Sequence, residues 1–215
     1  MKKAFWLVFI SLILFTSNNY SQSNKAYCAQ EITWFGLDYS VTFFTDESAF
    51  PDPYKLRDKL FYEWNNLVFK ENKKFDIATS FNKSHVAYST SFINNRNKNV
   101  DIFKNIGNYI FHRRHFNSDS IQKIVDTYKI RENNVGVGLV IIVESLNKPE
   151  REATYWITFF DIKTKKVLLT EQIIGIPSGA GIRNYWANSF YNALIKAERE
   201  MGFIFWLWKL RKYFY

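Results

Sequence analysis

The sequence has few of the residues from which disulfides and metal sites are built. It contains one cysteine and three histidines in 215 residues. A single cysteine, Cys28, cannot form an internal disulfide, so the hydrophobic core must hold the fold. His112 and His115 are spaced to share one face of a helix, but a stable metal site needs at least a third ligand. His85 is the only other histidine, and the two arginines between the pair would repel a cation. We therefore predict no metal site.

Complete catalytic and nucleotide-binding motifs are absent as well. There is no Gly-x-Ser-x-Gly nucleophile elbow, and the glycine-containing segment 175–181 lacks the Lys-Ser/Thr ending of a phosphate loop. Ser178 has no histidine or acid nearby in sequence. Glu144, Glu152 and Asp161 lie near predicted strand ends, where carboxylates are commonly just solvated. We assign no catalytic residue and no cofactor, although an enzyme built from dispersed residues would leave the same pattern.

The N-terminus has the pattern of a secretory signal peptide. Lys2 and Lys3 precede an uninterrupted apolar run, and small and polar residues follow it from Thr16. The run has about a dozen residues, whereas a membrane-spanning helix needs about 20. We predict a signal peptide over residues 1–22, cleaved near Ser21 or Gln22, and hence an exported protein that is periplasmic or associated with the outer surface.

Cys28 raises the question of a lipid anchor. Lipidation signals place small or aliphatic residues directly before the cysteine and next to the apolar run. Here Lys25, Ala26 and Tyr27 precede it, and more than ten mostly polar residues intervene. We expect no lipidation, and we assign residues 23–33 to a flexible N-terminal tail.

Charge favours acidic partners. The chain has 29 basic and 20 acidic residues and a net charge of +9, and loss of Lys2 and Lys3 with the signal peptide lowers this by two, to +7. An exported protein seldom meets nucleic acid, so we exclude nucleic acid as a partner. Anionic lipid, lipopolysaccharide or an acidic glycan is the expected kind of ligand.

Hydrophobic periodicity predicts one mixed α/β domain over residues 34–201, with about three amphipathic helices packed on a single mixed sheet. Helices are expected after Asp52, after Ser118 or Asp119, and from about Arg183 to Met201. Gln122 is available to reach back to the cap of the second helix. Strands are expected near 36–43, 75–78, 86–92, 100–103, 135–143, 153–161 and 167–174. The segment 135–143 has no polar alternation and is expected at the centre of the sheet, and Asn94–Asn99 is expected to be a turn.

The second half carries a resemblance to a family. The strand Trp156–Asp161, the lysine turn 163–165, the strand Val167–Leu169 and the glycine-containing passage into an amphipathic helix resemble the α/β domains found at the N-terminus of TolB and in curli-secretion lipoproteins of the bacterial envelope. The turn has Lys165 where that family has glycine. The resemblance implies an envelope binding or assembly module without catalysis.

The passage into the last helix is a candidate anion site. Gly179 and Gly181 allow backbone N–H groups to converge at the N-terminus of the helix, where the helix dipole is positive. The Arg183 guanidinium would add a positive charge there. The alternative is a sharp strand-to-helix turn without a ligand, and the sequence favours it.

The C-terminal residues 202–215 form an aromatic and basic segment. This composition is typical of a membrane interface. The candidate contact residues are Trp206, Trp208, Lys209, Arg211 and Lys212. The alternative, which we favour, is that the segment docks on its own domain or on a second copy; because Gly202 interrupts the helical pattern, we expect it to be separate from the last helix.

Together these patterns predict an exported cell-envelope protein and favour a binding or assembly module over an enzyme. The expected partner is an envelope protein or an anionic membrane surface, and self-association is the alternative to such a partner. The alternative is an exported hydrolase acting on an acidic glycan or lipid.

The first prediction concerns processing. The exported protein should lack its first twenty-odd residues and should carry no lipid, because no lipobox precedes Cys28. Intact-mass measurement of the exported protein checks this, and a diacylglyceryl adduct on Cys28 would contradict it.

Overall fold

The computed structural model describes residues 23–107, 116–130 and 135–211, with side chains as far as Gly202. The predicted signal peptide and the His112–His115 segment lie outside the described residues. The described chain begins with a short helix, α1, at residues 23–28. The strands, in chain order, are β1 (Glu31–Asp38), β2 (Phe43–Thr45), β3 (His85–Tyr88), β4 (Ile106–Gly107), β5 (Val137–Asn147), β6 (Glu152–Asp161) and β7 (Val167–Gly175).

The helices have very different lengths. Helix α2 is continuous over residues 53–70 and consists of an α-helical start (Pro53–Lys55), a π-helical stretch (Leu56–Leu60) and a longer α-helical part (Phe61–Lys70). The others are α3 (Ile77–Ser80), α4 (Ser91–Lys98), α5 (Ser118–Asp126) and α6 (Ile182–Arg211), and short 3-10 turns cover Glu47–Ala49 and Ile102–Asn105.

The seven strands form one mixed sheet centred on β5. Strand β1 pairs with the first half of β5 and β2 with the second half, both in parallel. On the other edge of β5, β6 runs antiparallel along its whole length, and β7 follows antiparallel to β6. Strands β3 and β4 continue the sheet beyond β1 and β2. The predicted mixed α/β fold, the central position of β5 and the β6–β7 hairpin are confirmed.

Helices cover both faces of the sheet. One face packs against α2 and α6, in the larger hydrophobic core. The other packs against α4 and α5 in a smaller core that includes Ile93, Ile121 and Val125. Residues 137–144 of β5 are buried without a break, as expected for a strand covered on both faces. The molecule is therefore a three-layer α/β/α arrangement.

The start of α2 was predicted correctly and that of α5 only in part. The Asp52 carboxylate accepts the Lys55 N–H at 2.9 Å, with Pro53 in the first turn. At α5 the cap is Asn117, whose side chain accepts the Ser120 N–H. The prediction that Gln122 reaches back to this cap is wrong, because its amide spans to the β6–β7 turn and bonds Val167 N–H and Lys165 O instead.

Three of the strands predicted in the first half are wrong. The strand predicted over 36–43 begins at Glu31 and ends at Asp38, and a turn closed by the Thr42 N–H on Tyr39 O separates it from β2. The expected strands at 75–78 and 100–103 are also absent: Phe75 leads into α3, and Ile102 begins a 3-10 turn.

The asparagine-rich segment expected to be a turn belongs to helix α4. Asparagine is a poor helix former, but here its side chains hold β1. The Asn97 side-chain oxygen accepts the Tyr39 N–H at 2.7 Å, and its amide donates to Leu37 O at 2.8 Å. These tertiary hydrogen bonds offset the low helix propensity of asparagine.

The residues assigned to a flexible N-terminal tail are folded from Ser23 onward. Ala26 is fully buried in the larger core. The Lys83 ammonium donates to Ala26 O at 2.8 Å and to Ala29 O at 2.9 Å. A buried lysine therefore caps α1 and fixes it beside the sheet.

Helix α6 does not end at Met201. Its 30 residues continue through Gly202 to Arg211, so the backbone of the predicted C-terminal tail begins as a direct extension of the helix. A Cβ added at Gly202 would meet only Glu198 Cγ at 3.9 Å, which shows no packing reason for a break there. No helix among the described residues is long and apolar enough to cross a membrane.

The buried face of α6 was predicted correctly. Trp186, Phe190, Leu194 and Met201 are each at most 5% exposed. The Phe190 ring lies 5.7 Å from Tyr155, and 6.0 and 6.2 Å from the rings of Phe75 and Trp34. This ring therefore joins α6 to the sheet and to the loop before α3.

Truncation of the Phe190 side chain should strongly destabilise the fold. Phe190→Ala should lower the free energy of unfolding by roughly 3–5 kcal/mol, because it leaves a cavity among three aromatic rings. Chemical denaturation measures the change. Tyr62→Ala, at a side chain that is 56% exposed, is the control and should cost far less; a loss below about 1 kcal/mol for Phe190→Ala would contradict the packing.

Candidate functional site

A cleft lies where the loop after β7 enters helix α6. Its volume is about 270 Å³. The loop 176–181 forms one side of it, and Gly179 and Gly181 have φ angles of +93° and +76°, a conformation that favours glycine. The described residues that line the cleft are Ala49, Lys148, Gly179, Gly181, Ile182, Tyr185 and Trp186.

Side chains from α6 hold this loop in place. The Asn188 amide donates to Ser178 O at 3.0 Å, and the Asn192 amide donates to Ile176 O at 2.7 Å. At the start of the loop, Gly175 lies so close to α6 that an added Cβ would be 2.1 Å from Ser189 O. The helix and the loop are therefore one packed unit, and the cleft is shaped before any ligand arrives.

One wall of the cleft is aromatic and continuous with the core. Trp186 is 4% exposed and stacks on Phe50 at 5.9 Å. Tyr185 meets Trp186 edge-on, with ring centroids 5.0 Å apart. Such buried contacts restrict the rotamers of both rings.

Lys148 supplies the only charged side chain among the described lining residues. It follows the last residue of β5, and its Nζ lies 3.5 Å from the centroid of the Tyr185 ring, within the range of a cation–π contact. The Tyr185 ring therefore positions an ammonium at the cleft. The described lining residues include no carboxylate, histidine or cysteine.

The structure brings only two of the three residues predicted as an anion site to the cleft. Gly179 and Gly181 line the cleft, but Arg183 does not. Its Nε lies 3.3 Å from Glu63 Oε2, and its carbonyl oxygen accepts the indole N–H of Trp64 at 2.8 Å. Arg183 thus ties α6 to α2, while Lys148, which sequence reasoning missed, provides the cation at the cleft.

A second group of polar side chains is buried at the end of β1. The Asp38 carboxylate, which is fully buried, accepts the Tyr128 hydroxyl at 2.7 Å and lies 3.2 Å from Arg96 Nε. The Arg96 guanidinium also lies over the Tyr128 ring. Burial, followed by the negative charge of Asp38, raises the pKa of Tyr128 well above its usual value. This group joins β1, α4 and the segment after α5, and its partners are internal.

A third polar group surrounds Glu144 on β5. Its carboxylate accepts the Trp156 indole N–H at 2.7 Å, the Gln172 amide at 2.9 Å and the Phe116 N–H at 3.3 Å. Three neutral donors therefore solvate a carboxylate that is only 6% exposed. Of the other strand-end acids, Asp161 pairs with Lys25 and accepts the Thr164 N–H.

Other candidates from the sequence lie outside this description or apart from the cleft. The His112–His115 segment and Lys212 are not among the described residues, and the side chains of Trp206, Trp208, Lys209 and Arg211 lie beyond those described. Cys28 is half-buried in α1, and its Sγ is 3.0 Å from Asn24 Oδ1. Within the described residues, no group of three or more His, Cys, Asp or Glu side chains is placed to hold a metal ion.

The Asp38 group generates a prediction about stability. Tyr128→Phe removes the hydroxyl donor and leaves a buried carboxylate with one partner fewer, so it should lower the free energy of unfolding by about 1–3 kcal/mol. Chemical denaturation at neutral pH measures this. Tyr62→Phe, at an exposed ring, is the matched control; equal effects of the two variants would show that the Asp38–Tyr128 hydrogen bond does not stabilise the fold.

Comparison with known proteins gives no relative from which a role could be transferred. No family model, no curated protein and no solved structure matches this chain. The resemblance to the TolB N-terminal and curli-secretion domains therefore stays a prediction from the sequence.

Proposed function

We propose that this chain is a non-enzymatic binding module of the bacterial cell envelope, and that the cleft beside Lys148 and Tyr185 holds an anionic group of its ligand. The observation that carries the proposal is the make-up of the cleft: one ammonium, an aromatic wall and glycine backbone, in a space of about 270 Å³. Small-molecule pockets usually measure about 300–1,000 Å³. The cleft is thus suited to a single sugar ring or lipid headgroup that carries a phosphate or carboxylate.

Electrostatics support an anion in this position. Lys148 is exposed and is held by an aromatic ring instead of by a carboxylate partner, so its charge is not neutralised by an ion pair within the described residues. The excess of basic residues over the whole chain adds a long-range attraction for acidic surfaces. Both effects weaken as salt is added.

Binding is favoured over hydrolysis because of what lines the cleft. Hydrolysis of a glycan uses a pair of carboxyl groups flanking the scissile bond, and ester hydrolysis uses a nucleophile with a base within hydrogen-bond reach. None of the described lining residues supplies such a group. The alternative, an exported hydrolase acting on an acidic glycan or lipid, would need those groups to come from elsewhere in the chain.

The test is a comparison of two lysine variants. Binding is measured to phosphatidylcholine vesicles with and without phosphatidylglycerol, and to an oligogalacturonate, so that lipid and glycan sources of the anion are distinguished. Lys148→Gln should weaken binding to the recognised probe about fivefold, the effect of losing roughly 1 kcal/mol of a partly exposed ion pair. Lys163→Gln removes the same charge from the exposed β6–β7 turn and should leave binding almost unchanged.

Four outcomes would contradict the proposal. The unmodified chain could bind neither probe, or both lysine variants could bind equally well. Vesicle binding could instead be lost only in Trp206→Ala/Trp208→Ala, which would move the contact to the C-terminal segment. Release of new reducing ends from the oligogalacturonate would favour the hydrolase.

A further inference from the structure

Strand β7 is a long edge strand, and among the described residues the Gln122 side chain bonds its first residue, at the Val167 N–H. It has nine residues, about 30 Å of extended chain, and it pairs with β6 alone among the described strands. Edge strands are usually protected by being short, by charged side chains or by proline. Strand β3, at the opposite edge, has four residues, whereas β7 contains no proline or lysine and a single acid, Glu171.

The pairing with β6 fixes which backbone groups of β7 face outward. The Asp161 N–H donates toward β7, to Lys166 O, and the Ile162 N–H donates toward β5, to Gly136 O. Odd-numbered residues of β6 thus bond β7, and their partners on β7 include Leu169, Glu171 and Ile173. The N–H and C=O groups of Thr170, Gln172 and Ile174 therefore point away from the sheet.

We infer that two copies of this chain pair through the outer edge of β7, as a two-fold symmetric dimer in which both sheets join into one. The outward-facing residues are spaced by two and centred on Gln172. An antiparallel copy with its symmetry axis at Gln172 matches Thr170 to Ile174 and Gln172 to itself, which allows about six hydrogen bonds between backbones.

The side chains are also compatible with a second copy in this register. In this register Glu171 lies opposite Ile173 of the partner, so like charges do not face each other. Two exposed isoleucines lie at the C-terminal end of the edge: Ile174 is 38% exposed, and Ile176 is 56% exposed.

Pairing in this way has a consequence for the cleft. Because the strands are antiparallel, the loops after β7 lie at opposite ends of the joined edge. The dimer therefore carries two clefts, which would let it hold two anionic groups of one extended ligand or surface with higher avidity than either cleft alone.

Sedimentation velocity of the purified chain over a range of concentrations tests the dimer. Ile174→Lys adds a charge at the edge, and Ile174→Pro removes an outward N–H while keeping an edge position that proline tolerates. Each should raise the dimer dissociation constant at least about tenfold, or about 1.4 kcal/mol. Tyr62→Lys, an equally drastic change at an exposed ring on α2, should leave it unchanged, and circular dichroism checks that all variants are folded.

A cross-link tests the register. Residues opposite each other in a hydrogen-bonded antiparallel pair have Cα atoms about 5.5 Å apart, which a disulfide can bridge. Gln172→Cys in a Cys28→Ser background should form a covalent dimer under mild oxidation, and Tyr62→Cys in the same background should not. A chain that stays monomeric at high concentration, a dimer insensitive to both Ile174 variants, or equal cross-linking at positions 172 and 62 would each overturn the inference.

Discussion

Strand β5 is the element on which the rest of the structure depends, because it is paired on both edges and covered on both faces. Its first half carries β1 and its second half carries β2, while β6 runs along the opposite edge. The side chains of Leu139 and Ile141 enter the larger core, and those of Val140 and Ile142 enter the smaller one. An unbroken apolar run is the only kind of sequence that can serve both cores at once. The glycine at 138 is part of the same constraint: a Cβ there would come within 2.6 Å of the Phe160 ring.

The position of α6 follows from a second close contact, between Gly175 and Ser189. With no side chain at Gly175, the helix backbone can approach the end of β7, and Tyr155 meets Ser189 by a hydroxyl contact of 2.6 Å. The same approach determines where the loop 176–181 can run, and hence where the cleft opens. The position of the cleft is therefore a result of the close approach of α6 to the end of β7.

The sequence predicted the elements whose pattern comes from burial alone. Apolar spacing that tertiary contacts reinforce is present in four elements: helix α2, strand β5, the β6–β7 hairpin and the buried face of α6.

The sequence-based predictions were wrong where the local preference of a segment disagrees with its tertiary contacts. Leu37, Tyr39 and Phe43 are all buried, but the alternation that joins them runs across a turn. In α4 the asparagines predict a turn because asparagine is common in turns, and nothing in the local segment indicates that Asn97 bonds the distant residues Leu37 and Tyr39. At Gly202 the helix penalty of about 1 kcal/mol relative to alanine predicts a break, but the helix continues because loss of the following helical hydrogen bonds would cost more.

The residues of the cleft were harder to predict from the sequence than the fold, as Arg183 and Lys148 show. Arg183 stands beside the glycines in sequence, yet a helix turns each successive side chain by about 100°, and this rotation directs Arg183 toward Glu63 on α2. Lys148 is more than thirty positions away and reaches the cleft because β5 ends beside the start of α6. No local sequence pattern indicates that Lys148 and Tyr185 are in contact. The two residues meet only because the order of strands in the sheet places the end of β5 beside the start of α6. The polar side chains of Asp38, Asn97 and Glu144 are instead hydrogen-bonded inside the protein. Among the described residues, Arg183 is paired with Glu63 whereas Lys148 contacts the Tyr185 ring, and for this reason the proposed anion site is centred on Lys148 and not on Arg183.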